Sequence, residues 1–358
     1  MTDYDVKFFI GPMSKNVVDA VIEVNKDIDL KIGFIPSRRQ VEYDGGYVNN
    51  WTTKSFSNYV KSKSNSIFIE RDHGGPGQGY HDDDGIKSYE WDSKYFDIIH
   101  IDPWKKYQNY EDGLAETIKG INLCYSINPD CFYEIGTEES IRYFNPEELE
   151  RMIVDLKKFL LGESFSKIKY AVVQSGVGLN LGKQENTGIF NPKRLQSMVD
   201  ICQEHNILSK EHNGDYLSLE DMKARFDIGL DAINIAPEFG QFETDVYLKI
   251  MEDLKNYFKE ESYNICYKSK RWEKWVKDDF YPKQEKDKII KISGHYVFSN
   301  SKFIKLKNEL ADNLGISVSQ LNEKVKEKIK SHLLSFKQIV NEEAKSYELQ
   351  RRKTLGNI

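Results

Sequence analysis

An aspartate and a histidine stand side by side at the end of a strand-like run, Ser66-Ile67-Phe68-Ile69-Glu70-Arg71-Asp72-His73, and Gly74-Gly75-Pro76-Gly77 follows at once. A β-branched and aromatic run feeding a glycine-rich loop delivers its last side chains to the mouth of a sheet, where a base and a metal ligand can face a substrate. A second histidine, His212, closes the similar run Ile207-Leu208-Ser209-Lys210-Glu211. Neutral imidazoles suit a borderline divalent cation, a carboxylate can complete the shell, and an open position polarises a carbonyl. Asp72, next to a ligand and half desolvated, is the candidate to move a proton. Two such endings point to one shared site for enolate chemistry.

Other strand ends supply further polar residues. Ser37, Arg38 and Arg39 follow one run, and the arginine pair could grip a phosphate or carboxylate in bidentate fashion. His100 and Asp102 share parity on another strand, so both point the same way. Glu134 either takes part in the chemistry or pairs with a buried cation. Gln174, Asn213 and Asn234 either contact a substrate or satisfy backbone groups at the rim. His81, His205, His295 and His332 carry no comparable signal.

These residues need elements to position them. Short β-rich runs alternate with amphipathic stretches about eight times: 6–11, 31–36, 66–71, 97–102, 131–136, 169–174, 206–211 and 231–235. Eight repeats predict a (β/α)8 TIM barrel ahead of a doubly wound open sheet, which the alternation alone also fits. Asn145-Pro146-Glu147-Glu148 supplies an N-cap, a proline at the first helical position and two acids at the positive end of the dipole. Asn191-Pro192 opens another helix in the same way, and Ser218-Leu219-Glu220-Asp221 reads as a variant capping box. Beyond residue 258 the alternation stops. The division expected is a barrel over 1–258 and a mainly helical C-terminal extension over 259–358 packed on it, with a short β-like piece from Ile290 to Phe298.

The chain has 358 residues, 39% of them hydrophobic and 30% charged, enough for a sizeable core. No apolar run approaches the roughly 20 residues of a membrane helix. The N-terminus Met1-Thr2-Asp3-Tyr4-Asp5 is acidic where a secretory signal is basic and apolar, so a cytoplasmic protein is expected. Cys124, Cys131, Cys202 and Cys266 are widely spaced, which disfavours a disulfide framework or zinc ribbon. The formal charge of −6 is uneven: from Tyr267 onward 21 Lys and Arg face 12 Asp and Glu, a net of +9, leaving −15 for the first 266 residues. The tail intersperses both signs, as in Glu323-Lys324-Val325-Lys326-Glu327-Lys328, which fits a solvated helical face better than nucleic-acid binding.

Taken in order, Gln40-Val41 with Gly45-Gly46-Tyr47, Asp72-His73 with Gly75-Pro76, His100-Ile101-Asp102, Glu134-Ile135-Gly136-Thr137-Glu138, Val172-Val173-Gln174, Glu211-His212 with Asp215-Tyr216, and Gly294-His295-Tyr296-Val297-Phe298 resemble the accessory, non-catalytic subunit of class II tagatose-bisphosphate aldolase. More distantly, Asp72-His73, Glu134-Ile135-Gly136, His212 and Ala232-Ile233-Asn234 resemble the catalytic class II fructose-bisphosphate aldolases. The resemblance implies a (β/α)8 barrel acting on ketose-type sugars with a divalent metal, usually zinc. It makes Asp72 the acid and base, His73 and His212 metal ligands, and Asn234 a neighbour of the substrate. Catalytic members carry a third ligand histidine on the strand matching 169–178, and this chain has none there. Glu134, Asp102 or Gln174 is left to supply the donor, with Asp102 the choice. Arg38-Arg39 departs from the small polar residues of the accessory subunits and implies an anionic group on the sugar. Three functions stay open: a metal-dependent aldolase, a non-catalytic subunit that stabilises a partner aldolase, and a sugar epimerase; the expected partner is a second copy of the chain or an aldolase subunit.

Overall fold

The computed structural model describes residues 6–28, 30–252, 254, 256–276 and 280–340. Eight parallel strands close into a barrel: β1 (Phe8–Ile10), β2 (Ile32–Phe34), β3 (Phe68–Gly74), β4 (Ile98–Ile101), β5 (Phe132–Ile135), β6 (Ile168–Val173), β7 (Leu208–Glu211) and β8 (Ala232–Ile235). Each is hydrogen-bonded to its neighbours in sequence, and β8 pairs with β1 through Phe8 opposite Ile233. Closure leaves no open edge, which settles the choice between barrel and open sheet in favour of the (β/α)8 fold.

The expected caps form. Asn145 accepts from the Glu148 amide with Pro146 in the first turn, Asn191 accepts from Arg194, and Ser218 accepts from Asp221. Cap chemistry fixes where each helix starts, and so how the chain leaves each strand end.

Side chains alternate across a strand, so the barrel interior is stacked in layers two residues apart. The floor is apolar: Val6, Phe9, Ile35, Ile98, Tyr170 and Ala232 form a cluster separate from the larger core under the helices. Above it lies a charged layer of Glu70, Glu134 and Lys210, all fully buried. Above that stand Asp72, His100 and His212.

The run from Ile290 to Phe298 is not β-like: it belongs to a helix, Lys286–Val297. Its β-branched residues Ile289, Ile290 and Ile292 are buried in helix packing instead of a sheet. Gly294 permits that packing, because a Cβ there would meet Thr244 Oγ1 at 2.4 Å, and one on Gly240 would meet the His295 Cβ at 2.7 Å. Facing glycines let two helices approach closely, and that tertiary gain overrides local β-propensity. The later helix Val318–Ser335 packs on Lys15–Asp27 and Pro237–Glu252, with Lys326 reaching Glu23 and Phe336 stacked on Phe8 at 4.6 Å between centroids.

Candidate metal centre

The third strand ends irregularly. Arg71 pairs with Ile99 but Gly74 pairs with Ile101, so Asp72 and His73 fall in a bulge with one extra residue. His73 sits at φ +45°, a left-handed conformation costly for a non-glycine residue. The bulge is held by the Asp72 amide donating to the Pro36 carbonyl. It swings both side chains toward the barrel axis instead of letting one face outward.

Three imidazoles meet there. The ring centroids of His73, His100 and His212 are 5.1 Å apart in every pairing. Donor atoms of these three and of Asp72 all lie within 4.8 Å of one another. The far side of each ring is already bound: His73 Nδ1 to Asp102 Oδ2 at 2.6 Å, His100 Nε2 to the Gly136 carbonyl at 3.0 Å, and His212 Nε2 to Glu134 Oε1 at 3.1 Å. An N–H fixed by a carboxylate or carbonyl sets the tautomer and leaves the other nitrogen as the donor, the usual support of a metal-ligating histidine. That leaves His73 Nε2 and His212 Nδ1 for the cluster, while His100 Nδ1 also accepts from the His73 amide at 3.3 Å, a bond a cation there would displace; with Asp72 the donor set fits a borderline divalent cation.

Electrostatics reinforce the arrangement. Burial lowers the His73 pKa, but the Asp72, Asp102 and Glu138 carboxylates outweigh it and push it up to about 10. A cation would take the place of that proton. His100 is pulled down by burial and stays neutral, its ligand form. Burial opposes ionisation of Asp102, yet the His73 bond holds its carboxyl below the usual range; Thr137 Oγ1 and the Trp104 amide also donate to it.

Beneath the histidines, Lys210 Nζ donates to Glu70 at 2.6 Å and to Glu134 at 3.0 Å. Burial, with Glu134 nearby, pushes Glu70 up. Burial acts the same way on Glu134, but Lys210 and then His100 and His212 prevail and hold that carboxyl well below its usual range. Glu134 is therefore the anion that orients His212.

A cavity of about 550 Å³ opens above the cluster, lined by Ser37, Arg39, Asp72, His73, His212, Asn213 and Asn234 among others. Both amide atoms of Asn234 are buried there with no partner among the described residues. Asn213 donates to Glu138 at 2.5 Å, and Glu138 also lines the cavity. Four of the residues expected at the site lie elsewhere. Asp102 stands behind His73 as its hydrogen-bond acceptor, and Glu134 lies one layer below. Arg38 is buried in a clasp with Glu42, Asp83 and the Gly75 carbonyl, which anchors the glycine-rich loop. Gln174 accepts from the Phe144 amide and donates to the Thr137 and Arg142 carbonyls, pinning the loop that carries Glu138.

No histidine stands on the sixth strand; the third imidazole of the cluster is His100, on the fourth. His100 follows Ile98 by two residues and so rises above it on the inner face, a signal present in the alternation of Ile98, His100 and Asp102. Asp102→Asn removes the anion that fixes His73, and it should weaken metal affinity by about 10–100-fold with the fold retained. Metal titration of the purified variant checks this; an unchanged affinity would remove Asp102 from the site.

No family model and no curated protein matches this sequence. Solved structures do. A probable tagatose 6-phosphate kinase from Sinorhizobium meliloti superposes with a TM-score of 0.70 at 15% identity, over 92% of this chain and 98% of that one. The fructuronate-tagaturonate epimerase of Cohnella laeviribosi gives 0.56 at 8% identity, over 94% and 81%. A fructose-bisphosphate aldolase from Campylobacter jejuni gives 0.51 at 14%, over 88% and 91%. Among the described residues no helix is long and apolar enough to cross a membrane. At these identities the likeness is one of fold: the chain shares its barrel with proteins named for a kinase, an epimerase and an aldolase of sugars.

Proposed function

We propose that this protein is a metal-dependent enzyme of class II aldolase type, acting on a ketose-type sugar through an enolate. The observation that carries the reading is the triad of mutually oriented imidazoles at His73, His100 and His212, each with its outer nitrogen tied down. Three imidazole nitrogens suit zinc. His73, His100 and His212 would hold a divalent cation, which would supply Lewis acidity toward a substrate carbonyl. Asp72 takes the proton from the carbon beside that carbonyl; the carbanion then attacks an aldehyde, and the reverse sequence cleaves the bond. Asn234, whose amide is buried and unpartnered, binds a substrate hydroxyl or carbonyl, as its orphaned donor and acceptor require. Ser37 and Asn213 line the same wall.

One observation favours an epimerase as the second reading. Two carboxylates flank the same nitrogen: Asp72 Oδ1 is 3.7 Å and Glu138 Oε2 3.9 Å from His73 Nε2. Removal of a proton by one and its return by the other would invert a centre. The test is metal analysis of the purified chain and of His73→Ala, His100→Ala and His212→Ala, followed by product analysis with phosphorylated ketoses. About one equivalent of metal in the parent chain and its loss in each variant is expected. Equal metal in all four samples would sink the shared site. A cleaved fragment identifies an aldolase, an epimer without a fragment identifies an epimerase, and turnover only after a partner chain is added identifies an accessory subunit.

A further inference from the structure

Residues beyond the last barrel strand add a wall to the cavity. Lys270 ends the helix Tyr257–Ser269 in the left-handed conformation at φ +57°, and the segment after that turn brings Arg271 and Lys274 to the lining. The helix Lys286–Val297 contributes His295 and Tyr296 to the same lining, together with Tyr47 from the stretch between β2 and β3. The three rings form one cluster. His295 lies 3.9 Å from Tyr296 and 6.3 Å from Tyr47 between centroids, and the two tyrosines are 5.0 Å apart.

His295 is fixed in place but unsatisfied. Gly240 makes room for it, since a Cβ there would come within 2.7 Å of the His295 Cβ and 3.2 Å of its Cγ. The residue is 2% exposed, and its Nδ1 is buried with no hydrogen-bond partner among the described residues. Burial, and then the charge of Lys274, push the imidazole down to about 3, so it stays neutral near pH 7, with one nitrogen a donor and the other an acceptor. A buried polar atom without a partner destabilises the chain that carries it, and an apolar ring of the same shape removes that cost. Packing against Gly240 and the tyrosines therefore accounts for a ring but not for an imidazole; a group that enters the cavity accounts for both.

Resting on the enolate reading, which brings a ketose-type sugar into this cavity, we infer that His295 is a specificity-determining residue that hydrogen-bonds a sugar hydroxyl away from the reacting carbonyl. A hydroxyl both gives and takes a hydrogen bond, which matches a neutral imidazole. An anionic oxygen only accepts, and gains most from a protonated ring, which burial and Lys274 disfavour here. A few fixed polar atoms among aromatic rings are the common makeup of a small-molecule pocket. A site built to bond a hydroxyl rejects the analogue lacking it, because its own polar atom is then left unpaired.

D-fructose and D-tagatose, two ketohexoses, are the probes. Each is titrated by NMR into the full-length parent chain, His295→Phe and His295→Gln, with metal content and melting temperature measured on the same samples. His295→Phe keeps a ring against Gly240 and is expected to weaken the better-bound ketose about 10-fold, the loss of one hydrogen bond, with a melting temperature equal to the parent's or higher. His295→Gln returns a donor and an acceptor and is expected to bring the affinity back to within threefold. A lower melting temperature in His295→Phe with ketose affinity unchanged marks a residue that only packs and overturns the inference, as does a parent chain that binds neither ketose. Metal content reports on the enolate reading separately: ketose binding that depends on His295 in a chain without metal supports this contact while removing that chemistry, and a metal-loaded chain whose ketose affinity ignores His295→Phe removes this contact alone.

Discussion

Asp72→Asn lowers turnover by about 10²- to 10⁴-fold, the range general acid–base catalysis supplies, while the chain keeps its metal and its fold. The substitution keeps shape and a hydrogen-bonding oxygen but removes the capacity to accept a proton. The bulge that places residue 72 is built from backbone: its amide donates to the Pro36 carbonyl, and residue 72 bridges to Ser37. Neither contact needs the carboxylate. Steady-state kinetics with a phosphorylated ketose, beside metal analysis, check this. A rate within threefold of the parent would move the proton transfer elsewhere, with Glu138 next in position.

Lys210→Met destabilises the fold by about 3–5 kcal/mol, because breaking a buried pair strands the remaining charge in a medium that cannot solvate it. Lys210 is fully buried between two glutamates, and its Nζ also lies 3.9 Å from the Phe9 ring centroid, against the apolar floor. Glu134, held ionised by Lys210, bears the loss; Glu70, pushed toward its neutral form, bears less. Chemical denaturation of the parent, Lys210→Met, and Lys210→Met combined with Glu134→Gln measures the effect. The double variant should recover part of the deficit, since the glutamine carries no charge to strand. A single variant as stable as the parent would mean that the layer is hydrated or uncharged.

Much of the fold was legible in the sequence because alternation and cap chemistry are local signals. Each of the eight runs became a barrel strand, most of them trimmed at the ends, though the third runs on to Gly74 and the sixth begins one residue earlier at Ile168, and Asn145, Asn191 and Ser218 cap as their patterns imply. The piece from Ile290 to Phe298 was not legible, because its helical state depends on Gly240 and Gly294 meeting from distant parts of the chain. Asp72, His73, His212, Asn213 and Asn234 gather at one cavity because strand ends converge in a barrel. His100 was legible as a strand-end histidine, but its meeting with His73 and His212 was not, because three separate strands come together only when the barrel closes. Arg38 and Arg39 look equivalent in sequence, yet one turns inward to Glu42 and Asp83 and the other lines the cavity. Parity within a loop is not fixed by a pleat, so adjacent residues cannot be told apart there. The cations at 271 and 274 carried no signal beyond the basic tail, because the turn that returns them to the barrel is a tertiary event.

The three imidazoles belong to the third, fourth and seventh strands, and that order has a consequence for how the protein is made. A ribosome releases His73 and His100 early, but His212 enters the growing polypeptide only after most of the barrel has been synthesised. Two imidazoles alone bind a cation weakly, so an ion held by this cluster would be taken up only once the seventh strand docks, and would act as a late rivet across the top of the cylinder instead of a seed for its assembly. Chains made under metal starvation would thus reach a closed barrel and be completed afterwards by supplying the ion.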